Sequence, residues 1–288
     1  MMFKKLQNKL FWGGLRHLLS DRQYALIRYR LELGFFPDLM NPKWLSEKIQ
    51  YLKLYERTEQ RREVADRIRV RDFVQKRVGE SILIPQLGVY KKLNRTVWKE
   101  LPNQFVLKAS HGSGFIRIVN NKEKENFEEI NREVNRWLNT DYYKFGREWV
   151  YKGLERLLIV EKLLLDRNNQ IPADYKFYCF DGKVELIQVD IGRFTDQQRF
   201  FFDRSFNPVD VKLYYPEGDQ TPEKPKTLNE GIRIAEKLSE TFNFIRVDLF
   251  LLDDHVWFGE MTNYPANGFR AFEPVSVELE MGQKLRLN

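Results

Sequence analysis

Two runs of strand-forming residues, 244–251 and 256–262, flank Asp253, Asp254 and His255, and no other stretch restricts the fold of this chain so tightly. Apolar alternation on both sides of a short polar break predicts two antiparallel strands joined by a tight turn. In the first run Ile245, Val247, Leu249 and Leu251 share one face, so Arg246 and Asp248 project together from the other. If Leu252 pairs with Val256 around a three-residue loop, Asp248 lies opposite Glu260 and Arg246 opposite Thr262. The acids would then hang from β-carbons ~5 Å apart. Carboxylates that close repel, so one binds a proton or a divalent cation sits between them, unless the acids stand on an exposed edge and face water. Oxygen-only ligands on rigid strands suit Mg²⁺ carried in on phosphates, and Arg246 beside the pair suits phosphoryl charge.

Composition sets the outer bounds. With 288 residues, 42% hydrophobic and 14% aromatic, the chain can bury one large core or two or three smaller lobes. Forty-eight Lys and Arg against 41 Asp and Glu give a net charge of +7, which favours an anionic ligand without identifying it. The charges are mixed along the chain instead of clustered, which argues against a nucleic-acid partner. Cys179 is the single cysteine and sits in an apolar run, so we expect a small buried hydrophobe in a reducing cytoplasm. No apolar run approaches the ~18 residues of a membrane span, and no signal-peptide pattern opens the chain. Residues 1–20 place Phe3, Leu6 and Leu10 at helical spacing among Lys4, Lys5, Lys9 and Arg16, near Trp12. Such a segment either lies against an anionic membrane face or packs as an ordinary amphipathic helix.

Along the chain, helices are expected over 24–34 and 44–55, and a third over 64–78, stopped by Gly79. The third puts Arg67 and Arg71 one turn apart on one face, either solvated or beside a nucleotide. Residues 81–90 read as a short strand, a turn and more strand. Residues 105–119 read as a hairpin that carries Lys108 and turns through Ser110, His111, Gly112, Ser113 and Gly114. Glycines there let backbone N–H groups face phosphate oxygens, and Lys108 adds a point charge; a flexible hairpin without a ligand is the plain alternative. A helix capped by Asn126 and Glu129 should cover a sheet with Ile130, Val134 and Trp137. Residues 142–151 are aromatic and give no assignable pattern. The run 157–165, interrupted only by Glu161 and Lys162, suits a buried strand leaving the core. Asp181-Gly182 joins two further strands, in which Asp174 and Lys176 share a face, and another strand is expected near 199–203. After a loop over 208–225, Thr227 and Glu230 should cap a helix that leads into the 244–262 hairpin.

A Lys-bearing strand with a Gly-rich hairpin, an apolar strand ending Glu161-Lys162-Leu163-Leu164, and a distal hairpin with Arg246, Asp248 and Glu260 resemble, in this order, the ATP-grasp superfamily. The segments 41–51, 105–114 and 258–262 resemble its TupA-like branch, which is associated with teichuronopeptide, capsule and other surface-polysaccharide biosynthesis. The resemblance implies an α+β fold: a helical N-terminal region (1–60), a lobe with the Gly-rich flap (61–160) and a C-terminal lobe with the metal site (161–288), the two lobes gripping ATP between antiparallel sheets. It implies that Lys108 touches the α- and β-phosphates under the Ser110–Gly114 flap. Glu161 with the backbone of Lys162 and Leu164 would bind adenine, Lys176 and Arg71 would approach the nucleotide, Asp248 and Glu260 would hold Mg²⁺, and Arg246 would steady the γ-phosphoryl group. The sequence departs from the pattern in two places. Arg67 and Arg71 stand where such enzymes often have Lys, and Thr262 stands in place of the usual Asn, with Asn263 next to it, so that the third ligand is shifted, weakened or replaced by water.

The activity implied is ADP-forming carboxylate–amine ligation through an acyl phosphate. It would attach an amino acid or other amine to a uronic-acid-containing glycan or another carboxylate. Two rivals stand beside it. One is a glycosyltransferase, although no Asp-x-Asp occurs in the sequence; the other is an ATP-binding protein with degenerate chemistry.

Overall fold

Period-two patterning resolves into two antiparallel sheets in the computed structural model, which describes residues 11–192, 196–216, 218, 221–252 and 254–287. The smaller sheet contains β1 (Gln86–Tyr90), β2 (Phe105–Ala109), β3 (Ile116–Val119) and β4 (Leu158–Glu161), in spatial order β1-β4-β2-β3. The larger contains β5 (Asp174–Phe180), β6 (Lys183–Ile191), β7 (Gln198–Phe202), β8 (Phe244–Leu252) and β9 (His255–Thr262), ordered β7-β6-β5-β8-β9. With helices packed on both sheets, the fold is α+β.

One face of the smaller sheet is closed. Phe105, Leu107, Val119, Leu158 and Val160 pack beneath Ile130, Val134 and Trp137 of helix Phe127–Asn139. Asn126 starts that helix by accepting hydrogen bonds from the Glu128 and Glu129 amides. Alternation therefore turns Val106, Lys108 and Glu161 to the other face.

The larger sheet is closed on one face and half-closed on the other. Phe177, Cys179, Ile187, Val247 and Leu249 pack against helices Arg69–Val78 and Leu228–Ser239, whose Phe73, Val74, Ile232 and Leu238 join the same core. On the opposite face Tyr178, Phe180, Leu186 and Phe244 lie with Leu45, Ile49 and Leu52 of helix Leu45–Tyr55 and Met281 of helix Val275–Lys284. Fully burying such a side chain contributes roughly 1.5–3 kcal/mol, which is what holds these helices down. Beyond Tyr178 the same sheet face turns polar, and it carries the site described below.

Several local expectations are corrected. The helix predicted over 64–78 is two helices, Glu59–Ala65 and Arg69–Val78. Asp66 Oδ1 accepts from the Ile68 and Arg69 amides, a side-chain bond that competes with helix continuation and starts the second helix. Arg67 therefore sits in the break, not one turn below Arg71 on a common helix. The Thr227 hydroxyl makes no capping bond. In the β8–β9 hairpin Leu252 pairs with His255 instead of Val256, and a bulge between Asp248 and Leu249 restores Asp248 opposite Glu260 and Arg246 opposite Thr262. Gly259 occupies the bulge, where a β-carbon would lie 2.9 Å from the Asp248 carbonyl oxygen.

Of the segment expected to be amphipathic, residues 1–10 lie outside the described residues, and Phe11 is buried against Tyr24. Residues 142–151 hold a short helix, Tyr143–Gly146, and a 3₁₀ turn, Trp149–Tyr151. No helix among the described residues is long and apolar enough to cross a membrane.

Candidate active site

Strand pairing assembles two polar rows across the larger sheet: Gln188, Lys176, Asp248 and Glu260 in one, and Tyr178, Arg246 and Thr262 in the next. Arg246 grips Asp248 in two-pronged fashion, Nε to Oδ1 and Nη2 to Oδ2 at 2.7 Å each. The same guanidinium donates to Thr262 Oγ1 at 3.0 Å, and Thr262 donates to Glu260 Oε1 at 3.0 Å. Burial raises the Asp248 carboxyl above its ordinary range despite the opposing charges of Arg246 and Lys176. Glu260 is more open, with its side chain 34% exposed.

Lys176 stands among three carboxylates, 3.0 Å from Asp174, 3.5 Å from Asp248 and 3.7 Å from Asp190. Burial opposes its charge, but Asp174 and Asp248 outweigh burial and raise its pKa. Asp190 is held in turn by Arg199 at 2.6 and 2.9 Å and by Gln188. Although Asp190 is buried, these partners lower its pKa. Gln188, Asp190 and Arg199 were missed by the sequence reading. The available signal was Gln188 and Asp190 at alternate positions of an apolar strand, in phase with Asp174 and Lys176.

The smaller sheet faces these rows across a cleft of about 640 Å³, lined by Lys108, Arg71 and Glu161 on one side and Asp248, Glu260 and Arg246 on the other. Lys108 Nζ lies 2.6 Å from Glu161 Oε2, and Arg71 lies 3.3 Å from Glu161 Oε1. Arg67 reaches in from the helix break, donating to the Ala109 carbonyl at 2.6 Å and to the Gly112 carbonyl, with Glu260 at 3.5 Å. It thus joins the Gly-rich turn to the larger sheet. Ser113 lines the cleft, Gly114 has φ +78°, and a β-carbon on Gly112 would lie 2.6 Å from the Tyr142 ring. Beside the cleft, Val106, Ile116, Ile118, Leu163 and Leu164 form an apolar slot of about 80 Å³ that shares Lys108 and Glu161 with it. No partner among the described residues takes the Leu164 amide.

Three expected contacts are not brought to the cleft. The Ser110 hydroxyl accepts from the Leu157 amide and donates to the Glu155 carbonyl, so it ties the turn to β4. His111 is buried with Nε2 3.1 Å from the Trp137 and Thr140 carbonyls, where it binds the end of helix Phe127–Asn139 instead of a phosphate. Asn263 is turned away by strand alternation, accepting from Arg61 and donating to its carbonyl. A fourth contact changes: the Lys162 amide already donates to the Pro85 carbonyl, while Lys162 itself still lines the slot.

The donor set suits Mg²⁺ in one specific way. No group of three or more His, Cys, Asp or Glu among the described residues could cage a metal. Asp248 and Glu260, with the Thr262 hydroxyl between them, offer oxygen ligands only. That number matches a Mg²⁺ whose remaining ligands are water and substrate phosphates.

The sequence profile of a family described as TupA-like ATPgrasp matches residues 47–286. Among solved structures, the chain resembles a D-alanine–D-alanine ligase from Bacillus anthracis complexed with ATP, at 15% identity over 70% of this chain and 54% of that one, with a TM-score of 0.40. It also resembles a D-alanine–D-alanine ligase from Helicobacter pylori, at 14% identity over 84% and 69% of the two chains and a TM-score of 0.42. A phosphoribosylamine–glycine ligase from Thermotoga maritima matches at 16% identity over 71% and 48%, with a TM-score of 0.40. The chain thus spans about half the length of the first of these structures, 54%. No curated protein matches it.

Proposed function

The chain belongs to the TupA-like ATP-grasp family, and from that premise we propose that it is an ATP- and Mg²⁺-dependent carboxylate–amine ligase that modifies a bacterial surface polysaccharide. One observation carries the reading: Lys108 on the smaller sheet and the Asp248–Glu260 pair on the larger line the same cleft. The apolar slot takes the purine, with the Leu164 amide as a donor to its edge. Lys108, Arg71 and Arg67 hold the α- and β-phosphates beneath the Gly-rich turn, exchanging carboxylate and carbonyl partners for phosphate oxygens. Asp248, Glu260 and the Thr262 hydroxyl hold Mg²⁺, which when bound neutralises phosphate charge. Arg246 covers the γ-phosphoryl group.

A carboxylate makes no amide in water without a better leaving group. Its oxygen attacks the γ-phosphorus, ADP departs, and an acyl phosphate forms while Arg246 and Lys108 stabilise the transferring charge. The Gly-rich turn excludes water that would hydrolyse this species. An amine then displaces phosphate. The carboxylate belongs to a uronic-acid-containing glycan and the amine to an amino acid or related compound, as the family's association with surface-polysaccharide synthesis suggests. With Cys179 a buried thiol and ATP the energy source, we place the reaction in the cytoplasm.

The test is incubation with ATP, Mg²⁺ and pools of uronosyl compounds and amino acids, followed by nucleotide analysis and mass spectrometry. ADP with a new amide is expected. AMP would mean adenylation, and sugar transfer from a nucleotide sugar without ATP consumption would mean a glycosyltransferase.

A further inference from the structure

In the cleft, but outside the lining of the apolar slot, a carboxylate stands buried and only half satisfied. Glu148 is 8% exposed and lines the same cleft as Lys108, Asp248 and Glu260. Its Oε1 accepts from Asn267 Nδ2 at 2.9 Å, and among the described residues no donor reaches Oε2. Since Oε2 is also absent from the fully enclosed, unpartnered side-chain atoms, it opens into the cleft.

The surroundings are constructed around this group. Asn267 holds a left-handed backbone, φ +56°, and accepts at Oδ1 from Lys53 Nζ at 2.6 Å, so one amide links a buried lysine to a buried acid. Lys53 is 1% exposed and also donates to the Asn267 carbonyl at 3.1 Å. Gly146 leaves room for the link: a β-carbon there would lie 1.8 Å from Asn267 Nδ2 and 3.1 Å from Glu148 Oε1. Three distant parts of the chain therefore converge to fix one carboxylate oxygen and leave the other available. Nothing in phosphate binding or phosphoryl transfer uses it.

We propose that Glu148 is the general base of the second half-reaction, binding the incoming amine at Oε2 and taking the proton that frees it to attack the acyl phosphate. This inference rests on the ligase reading above and assigns its nucleophile: a protonated amine, which must lose a proton to react. The nitrogen lone pair forms the C–N bond, the bond from the acyl carbon to the phosphate oxygen breaks, and phosphate leaves with that electron pair. Two protons leave the nitrogen: the ammonium first gives one to Glu148 Oε2, which releases it to solvent and frees the lone pair, and the second, shed as the C–N bond forms, passes to the phosphate, which departs as hydrogen phosphate. The charges that face the group are Lys53 from helix Leu45–Tyr55, Arg28 from helix Asp21–Leu33 and Glu260 from β9, and the hydroxyls of Tyr142 and Tyr151 lie within their field. Burial, opposed by Lys53 and Arg28, raises the Glu148 carboxyl to about 7, a range suited to proton exchange at neutral pH.

Hydroxylamine provides the test, because it is already unprotonated at neutral pH and traps an acyl phosphate as a hydroxamate without a base. Wild-type protein and Glu148→Gln are supplied with ATP, Mg²⁺ and the glucuronate and galacturonate compounds of the screen, plus either hydroxylamine or an amino acid. Hydroxamate yield should stay within about threefold of wild type in Glu148→Gln, while amide formation should fall about 10²–10⁴-fold. Equal loss of both products, or of neither, overturns the assignment. Should the variant not fold, wild-type protein gives the answer through pH. Burial also lowers Lys53 to about 7, so the two groups titrate as a pair, and amide formation should level off above about 7, where the pair has given up its proton; a rate that keeps climbing about tenfold per pH unit overturns the proposal. Wild-type protein that makes neither product overturns the ligase reading itself.

Discussion

Glu260 and His111 show how one side chain can be judged by its surroundings. Glu260 is the more accessible of the facing acids, and its neighbours Thr262 and Arg67 are polar, so its role in packing is small. Glu260→Gln should therefore change unfolding free energy by no more than about 1 kcal/mol. Turnover of ATP should fall roughly 10²-fold, with the Mg²⁺ concentration for half-maximal rate shifted upward. A Mg²⁺ titration that overlays wild type would remove this residue from the proposed metal site. His111 makes the opposite case. Burial lowers its pKa below the ordinary 6.5, and Nδ1 is enclosed without a partner. Below 6.5 the unfolded chain therefore binds more protons than the folded one, and stability declines as pH falls. His111→Gln keeps a donor for the Trp137 and Thr140 carbonyls and removes the titration. Its melting temperature should change less than that of wild type between neutral and mildly acidic pH; parallel curves would mean that other groups set the slope.

At the scale of elements, the β8–β9 hairpin depends on its bulge. The alternation of Ile245, Val247 and Leu249 was enough to place Arg246 and Asp248 on one face, and the cross-strand pairing of the acids followed. The turn is one residue tighter than expected, however, and the Gly259 bulge compensates for it. Glycine in a strand shows that something is irregular without showing which way the register moves. Gly259→Ala would push a methyl toward the Asp248 carbonyl, costing about 1–3 kcal/mol and misaligning the acid pair. Urea denaturation and ATP turnover should both be affected, the latter by more than the stability loss explains; a stable, fully active variant would show that the bulge tolerates a side chain. The helix break at Asp66 was equally hidden. Val70, Phe73, Val74 and Val78 form one helical stripe and nothing apolar marks the break before it, while the Asp66 side-chain bonds appear only once the chain is folded. Residues 142–151 offered no period at all, because their short turns are fixed by contacts with Tyr24 and Asn267 from elsewhere in the chain.

Across the whole molecule, the site belongs to neither sheet alone. Lys108 and Glu161 come from one, Asp248 and Glu260 from the other, and Arg67 touches both through the Gly112 carbonyl and Glu260. A sequence can assign each residue to a strand face, but it carries no signal for which faces meet. For that reason the two polar surfaces were legible separately, while Glu148, Asn267 and Lys53, which converge from three segments, were not. On the ligase reading proposed above, nucleotide binding is a whole-molecule event, since a ligand spanning the cleft stabilises the folded state through contacts on both sides. ATP with Mg²⁺ at about a hundredfold over its Kd should add about 2.7 kcal/mol and raise the melting temperature by several degrees. Removing Mg²⁺ with a chelator should abolish most of the gain. Hydrogen exchange should slow both in the hairpin of β2 and β3 and in β8 and β9, because closure protects both walls. Protection confined to the β2–β3 hairpin would mean that nucleotide rests on the smaller sheet without reaching Asp248, and phosphoryl transfer at the acid pair could not then occur.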